Sequence, residues 1–349
     1  MKAAVLESLD KIAYKDIETP KIVPGSILVK VHSCAVCGSD IRIFHYGNPR
    51  VKPPCVTGHE IAGEIIKVGE GVDNFKAGQR VAIGADVPCG KCFYCQNGLG
   101  NDCPINYAIG YQFPGGFAEY ILLNPTTVQF GPITILPDSV SYDEGALAEP
   151  LACAINGLEL AHLKLGDTIV IMGAGPIGCM MIELARFFGA FKVIMMQRSK
   201  GRLEFSRKFG ADLYVETSRA DPVQAALDAT GGKGPDVVIT SCGSVEAHEQ
   251  AIKMVAKRGY VNLFGGLPAN SRNLDIPSNL IHYKECFVTG SHGSVPRHHK
   301  LAVKLIEDKK VNVKELITAT YPLIDIEKAF KDYEQRNGMK VIVKPAATS

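Results

Sequence analysis

The chain is predicted to be an α/β protein of two domains, one strand-rich and one built on a doubly wound parallel sheet. Three observations lead there. Its 349 residues exceed the roughly 250–300 at which one hydrophobic core stops growing. From Met1 to about Pro150, short apolar runs (SILVKVHSC, HEIAGEIIKVG, QRVAIGA, GGFAEYILL) alternate with Gly, Pro and Asp turns, a pattern of strands with few helices. From about Leu165 buried runs alternate with amphipathic ones: DTIVIM, GCMMIELARFFG, KVIMM, GRLEFSRKFG, DVVITSCG, SVEAHEQAIKMVAKRG, YVNLFGG and CFVTGS. Strands each followed by a helix imply a parallel sheet covered on both faces. After about Ser291 come a helical stretch, HHKLAVKLIEDKK, a helix-like DIEKAFKDYEQR and a closing strand, KVIVK.

Composition narrows the function classes. With 38 basic and 36 acidic residues, net +2, there is no field strong enough to select nucleic acid or an anionic membrane. The four-residue apolar run before Glu7 is too short for a signal h-region, and no run approaches the ~18 apolar residues of a membrane span. A soluble cytoplasmic protein acting on a small molecule is expected. In that compartment thiols stay reduced, so eleven cysteines, an odd number, are not a disulfide framework.

Gly173, Gly175 and Gly178 with Pro176 and Ile177 form GAGPIG, a match to G-x-G-x-x-G. Alone the pattern is weak, since glycine triplets recur in loops and in methyltransferases. Here it follows the apolar strand DTIVIM and opens a helix, which makes it a dinucleotide site. The next strand ends Gln197-Arg198-Ser199-Lys200-Gly201-Arg202, without the Asp or Glu that would bind the ribose hydroxyls of NAD. With Arg198, Lys200 and Arg202 available to pair with a 2′-phosphate, NADP is favoured over NAD. The plainer account of these basic residues is a solvated helix start.

Cys89, Cys92, Cys95 and Cys103 lie in a charged, Gly- and Asn-rich loop with too few apolar residues to hide four free thiols. Four thiolates fill a tetrahedral zinc shell and leave no position for substrate, so this metal is expected to be structural. A sparser set, Cys37 in CGSD, His59 and Glu60 in GHE, and Glu149 in AEP, offers the three ligands and open position of a catalytic zinc. Taken singly, a buried His or Cys is more often core. Cys34 and Cys37 could also be misread as a redox pair, but the strand and helix setting of such pairs is missing.

Together CGSD, GHEIAGEI, the four-cysteine lobe, GGFAEY and GAGPIG resemble the zinc-dependent medium-chain dehydrogenase/reductase family over essentially the whole chain. ALAEPLACAINGLE, with Glu149, is most similar to its polyol branch of sorbitol, galactitol-phosphate and threonine dehydrogenases. The resemblance implies a GroES-like catalytic domain at 1–150, completed by 292–349, and a Rossmann domain with a six-stranded parallel sheet at 151–291. It implies two zinc ions per chain, with Cys37 and His59 as ligands to the catalytic one. Glu60 would be the third ligand, Glu149 would hold the metal or its water, and Ser39 would accept the substrate proton. In several branches a His three positions beyond this hydroxyl passes the proton on, but Arg42 stands there, and His45 lies nearby.

The activity implied is hydride transfer between a polyol or secondary alcohol, a sugar alcohol free or phosphorylated, or threonine, and a nicotinamide, giving the ketone, in a cleft between domains. Phe44, Tyr46 and 290–294 are candidate lining. Arg297-His298-His299-Lys300 would meet a substrate phosphate or, more simply, be a solvated helix start. A homodimer or homotetramer is implied. The competing readings are a non-catalytic zinc and dinucleotide-binding protein and an enoyl or quinone reductase, which would lack both ligand sets.

Overall fold

Strand periodicity in the first 150 residues and strand–helix alternation after them build two units in the computed structural model, whose described residues are 1–268, 270–336 and 338–346. One unit comprises Met1–Ala152 and the chain from Gly293 onward; the other is Cys153–His292.

The first unit is organised on a sheet whose central strand, Ile27–Ala35, pairs antiparallel with Glu60–Val68, Tyr120–Leu123 and Lys340–Lys344. Its inward residues Val29 and Val31, with Ile61, Ile65, Phe117 and Val343, are fully buried. The apolar alternation of these runs therefore becomes one core face. The closing strand joins through Ile342↔Ala35 and Val343↔Cys34, so the C-terminal segment completes a sheet that the first 150 residues begin.

The second unit is a six-stranded, all-parallel sheet. Its order is Leu213–Glu216, Lys192–Gln197, Thr168–Met172, Val237–Thr240, Tyr260–Leu263 and Phe287–Gly290. Ile169, Val170, Ile171, Val193, Ile194 and Met195 are completely buried, as continuous apolar strands covered on both faces must be. The order reverses at Thr168–Met172, which places the glycine loop at the topological switch point of a doubly wound sheet.

Residues Gly38–Tyr46 form one of the few helices of this region, with Cys37 and Asp40 capping it. One local expectation needs correction. His298 and His299, read as a solvated helix start, are 1% and 0% exposed on the helix Pro296–Glu307. His299 Nδ1 lies 2.8 Å from Thr134 Oγ1, which gives the imidazole a partner inside the unit.

Candidate active site

The site is assembled from two ends of one antiparallel strand pair. Cys37 follows the strand Ile27–Ala35, and Glu60 opens its partner, Glu60–Val68. Register Ala35↔Glu60 brings residues more than twenty apart in sequence to one edge. Gly58 makes the approach possible. At φ +91° its missing Cβ would stand 2.7 Å from Cys34 Sγ and 2.9 Å from the Phe117 ring, and only glycine adopts that conformation without strain.

Asp40 sets both the helix and the histidine. Its Oδ2 accepts the Cys37 N–H at 2.9 Å, half of a capping box at the start of Gly38–Tyr46. Its Oδ1 accepts the Gly58 N–H at 3.2 Å and lies 3.4 Å from His59 Nδ1. A carboxylate behind the ring orients the imidazole and leaves the other nitrogen for a ligand. That nitrogen, Nε2, is 3.3 Å from Ser39 Oγ. Asp40 lies outside the predicted site residues, and its sequence signal is an acid three positions after a helix-capping residue.

The donor atoms of Cys37, His59 and Glu60 all lie within 4.8 Å of one another. A thiol, an imidazole and a carboxylate so gathered suit a zinc, whose bonds of about 2.0–2.3 Å bring its ligands together at this scale. Burial favours the neutral imidazole, but Asp40 and Cys37 overcome it and hold His59 well above its ordinary value. Burial likewise opposes the Cys37 thiolate, yet the bond to His59 leaves that thiol below its usual range. Cys37 and His59 are thus held as a thiolate–imidazolium pair, and a zinc bound there would displace the ring proton and keep the thiolate.

The carboxylates behave differently. Both oxygens of Glu60 accept hydrogen bonds at 2.5 Å from Lys340 Nζ, on the closing strand. Burial pushes Glu60 up to about 7 against the pull of Lys340. Glu149, in the first turn of the helix Ala148–Leu160, stands outside the group of three. Burial raises it to about 7 as well, with His59 pulling it down and Cys37 pushing it up, so it is an electrostatic neighbour of the group. His45 is engaged elsewhere: its Nδ1 bonds to Asp10 and its Nε2 to Glu334. Tyr111, which sequence reading passed over, interacts with Ser39 and places its ring 5.8 Å from that of His59. Of the candidate lining, Tyr46 is 83% exposed and Phe44 packs edge-on against Phe330 at 5.5 Å.

The four cysteines of the lobe also have Sγ atoms mutually within 4.8 Å. The separations Cys92–Cys95 and Cys89–Cys95, 3.4 and 3.9 Å, bracket the ~3.8 Å edge of a zinc–sulfur tetrahedron. Burial disfavours the Cys103 thiolate, but backbone N–H groups of the loop outweigh it and bring this thiol down to about 6.

In the second unit Gly175 caps the helix Pro176–Phe187. A Cβ on Gly178 would fall 1.9 Å from Gly173 O, so loop and helix touch backbone to backbone. Gln197 ends its strand by accepting the Ala174 N–H on Oε1 at 2.8 Å and donating from Nε2 to Ser199 Oγ at 2.9 Å. Arg202 Nη1 is 3.7 Å from the Cβ position of Gly175, while Arg198 and Lys200 are exposed.

Family models match both parts of the chain: the alcohol dehydrogenase GroES-like domain at residues 23–132 and the zinc-binding dehydrogenase at 176–308. The chain belongs to the zinc-dependent medium-chain dehydrogenases. Among the relatives of this dehydrogenase, the D-arabitol-phosphate dehydrogenase of Enterococcus avium is 34% identical over 96% of the chain and 94% of its own length. A sorbitol dehydrogenase of Halalkalibacterium halodurans is 32% identical, covering 94% of each. A zinc-binding dehydrogenase from Sinorhizobium meliloti, solved with NADP, superposes with a TM-score of 0.91 at 32% identity and covers 99% of both chains. The dehydrogenase fold is the GroES-like and Rossmann pair that the motifs implied, and its activity is oxidation of a CH–OH donor with a nicotinamide cofactor.

Proposed function

We propose that this dehydrogenase oxidises a polyol to its ketone with NADP as hydride acceptor, holding one zinc for catalysis and one for structure. The observation that carries the catalytic assignment is the convergence of Cys37, His59 and Glu60 within 4.8 Å, beside the Ser39 hydroxyl at 3.3 Å from His59. A zinc bound there supplies Lewis acidity that lowers the pKa of an alcohol oxygen. Cys37 and His59 would hold the metal, Asp40 keeps the imidazole in orientation, and Ser39 Oγ accepts the hydrogen bond of the alcohol O–H while its own proton passes to solvent. Glu60, tied to Lys340, and Glu149 supply the carboxylate at or behind the metal. Cys89, Cys92, Cys95 and Cys103 close the structural zinc.

Gly173, Gly175, Pro176, Ile177 and Gly178 cradle the pyrophosphate at a helix start. The preference for NADP is supported by Gln197 standing where NAD enzymes carry an acid and by Arg198, Ser199, Lys200 and Arg202 beside it. Eleven unpaired cysteines suit a reducing compartment such as the cytoplasm. The half-exposed edge strand Phe287–Gly290, with Phe287 at 46% and Val288 at 37%, supports assembly into dimers or tetramers.

One preparation tests these assignments together. Metal analysis is expected to return two zinc ions per chain, and kcat/KM is expected to be higher with NADP than with NAD across polyols, sugar phosphates, threonine and simple secondary alcohols. Cys37→Ser is expected to remove most turnover and one zinc while the Tm holds. Cys95→Ser is expected to lower the Tm while the folded fraction keeps activity. A Cys37→Ser protein with near wild-type turnover overturns the catalytic assignment, and a tenfold advantage of NAD overturns the cofactor preference.

A further inference from the structure

A cleft of about 690 Å³ opens in the catalytic unit beside Tyr111. Its walls are largely apolar, among them Ile17, Val56 and Phe113, and its charged side chains are Glu18, Arg50 and Lys52. The Arg50 guanidinium stacks on the Tyr111 ring at 4.6 Å and donates from Nη1 to Asn106 O at 2.9 Å. Its backbone N–H is fixed by Asn48 Oδ1 at 2.9 Å. Among the described residues no carboxylate pairs with Arg50 or Lys52, whereas Glu18 is taken by Lys21 at 3.1 Å. Tyr111 thus contacts Ser39 and His59 and also supports an arginine that has no acid partner among the described residues.

An arginine fork held flat on an aromatic ring, with its remaining N–H groups unpaired by acid, matches the planar, bidentate recognition of phosphate. A neutral hydroxyl gains much less from such a group. We infer that Arg50, assisted by Lys52, binds the terminal phosphate of a polyol phosphate whose reacting carbinol lies at Cys37 and His59. This rests on the polyol-dehydrogenase reading and narrows its substrate class. The competing role for Arg50 is a clamp that merely fastens Tyr111 to the Asn106 loop.

The test compares a pentitol phosphate with the same pentitol unphosphorylated, using the full-length, zinc-loaded enzyme and its Arg50→Ala, Arg50→Lys and Lys52→Ala variants. The wild type is expected to prefer the phosphate ester. Arg50→Ala is expected to cut the ratio of the two kcat/KM values by about tenfold to a hundredfold, the worth of one charge-assisted pair, and mainly through KM. Arg50→Lys should fall between, and Lys52→Ala should lose less. Calorimetry with the pentitol phosphate, the pentitol and inorganic phosphate alone reads binding without turnover, and the Tm reports folding. Equal losses on both substrates in Arg50→Ala, or a wild type indifferent to the phosphate, overturn the inference. Should neither compound be oxidised while the ester still binds through Arg50, the phosphate site stands and the polyol reading falls.

Discussion

At the scale of single residues, the most consequential contact outside the donor set is the buried pair of Glu60 and Lys340, with side chains 0% and 4% exposed. Two charges taken out of water recover their desolvation only through each other, and removing one leaves the other uncompensated. Lys340→Met is therefore expected to destabilise the chain by about 3–5 kcal/mol, read from the denaturant midpoint. Glu60→Gln with Lys340→Met should recover much of that loss, because the orphaned charge is gone. A double variant no better than the single one would mean that Lys340 acts through packing alone. Asp40 joins the helix cap, the Gly58 N–H and the His59 ring in one carboxylate, so the motif CGSD shapes the backbone as well as supplying a ligand.

At the scale of elements, the strand Thr168–Met172, the glycine loop and the helix Pro176–Phe187 act as one piece. The 1.9 Å between the Gly178 Cβ position and Gly173 O involves backbone on both sides, so no side-chain rotation relieves it. Gly178→Ala is expected to cost about 3 kcal/mol, the upper range for overpacking, and to abolish dinucleotide binding in a fluorescence titration. Gly201, in the helix Lys200–Ser206, has nothing within 4 Å of its Cβ position. Gly201→Ala should raise stability by about 0.5–1 kcal/mol through helix propensity. Opposite signs from two glycine-to-alanine changes test the close approach itself rather than glycine content, and equal Tm shifts would contradict it.

At the scale of the whole molecule, acid sensitivity follows from a histidine buried neutral. Burial pulls His299 down to about 3 in the folded chain, whereas the unfolded chain takes up that proton near 6.5. Protons therefore bind the unfolded state preferentially between these values. The contribution is present above about pH 6.5 and is lost as pH falls toward 3, by about 1.4 kcal/mol per pH unit from this group. Melting curves from pH 7 to 4 should fall less steeply for His299→Gln than for the wild type, even if the variant is less stable at pH 7. A parallel pair of pH profiles would remove His299 from the account.

The sequence alone determined the classes of structure: a strand-rich part, a doubly wound sheet, a dinucleotide loop and a family. These are written in signals of short range, the period of apolar residues, the spacing of GAGPIG and the spacing of the four lobe cysteines. Cys37, His59, Glu60 and Glu149 were named as candidates because their motifs are local too. Only the tertiary structure decided what surrounds them. Lys340 reaches Glu60 across 280 positions, and Asp10 with Glu334 occupies His45. Tyr111 and Arg50 meet beside Ser39 through loops with no periodic signal. Charge pairing and burial depend on which distant segments the sheet brings side by side, and hydrophobic patterning specifies the strands without specifying their side-chain partners.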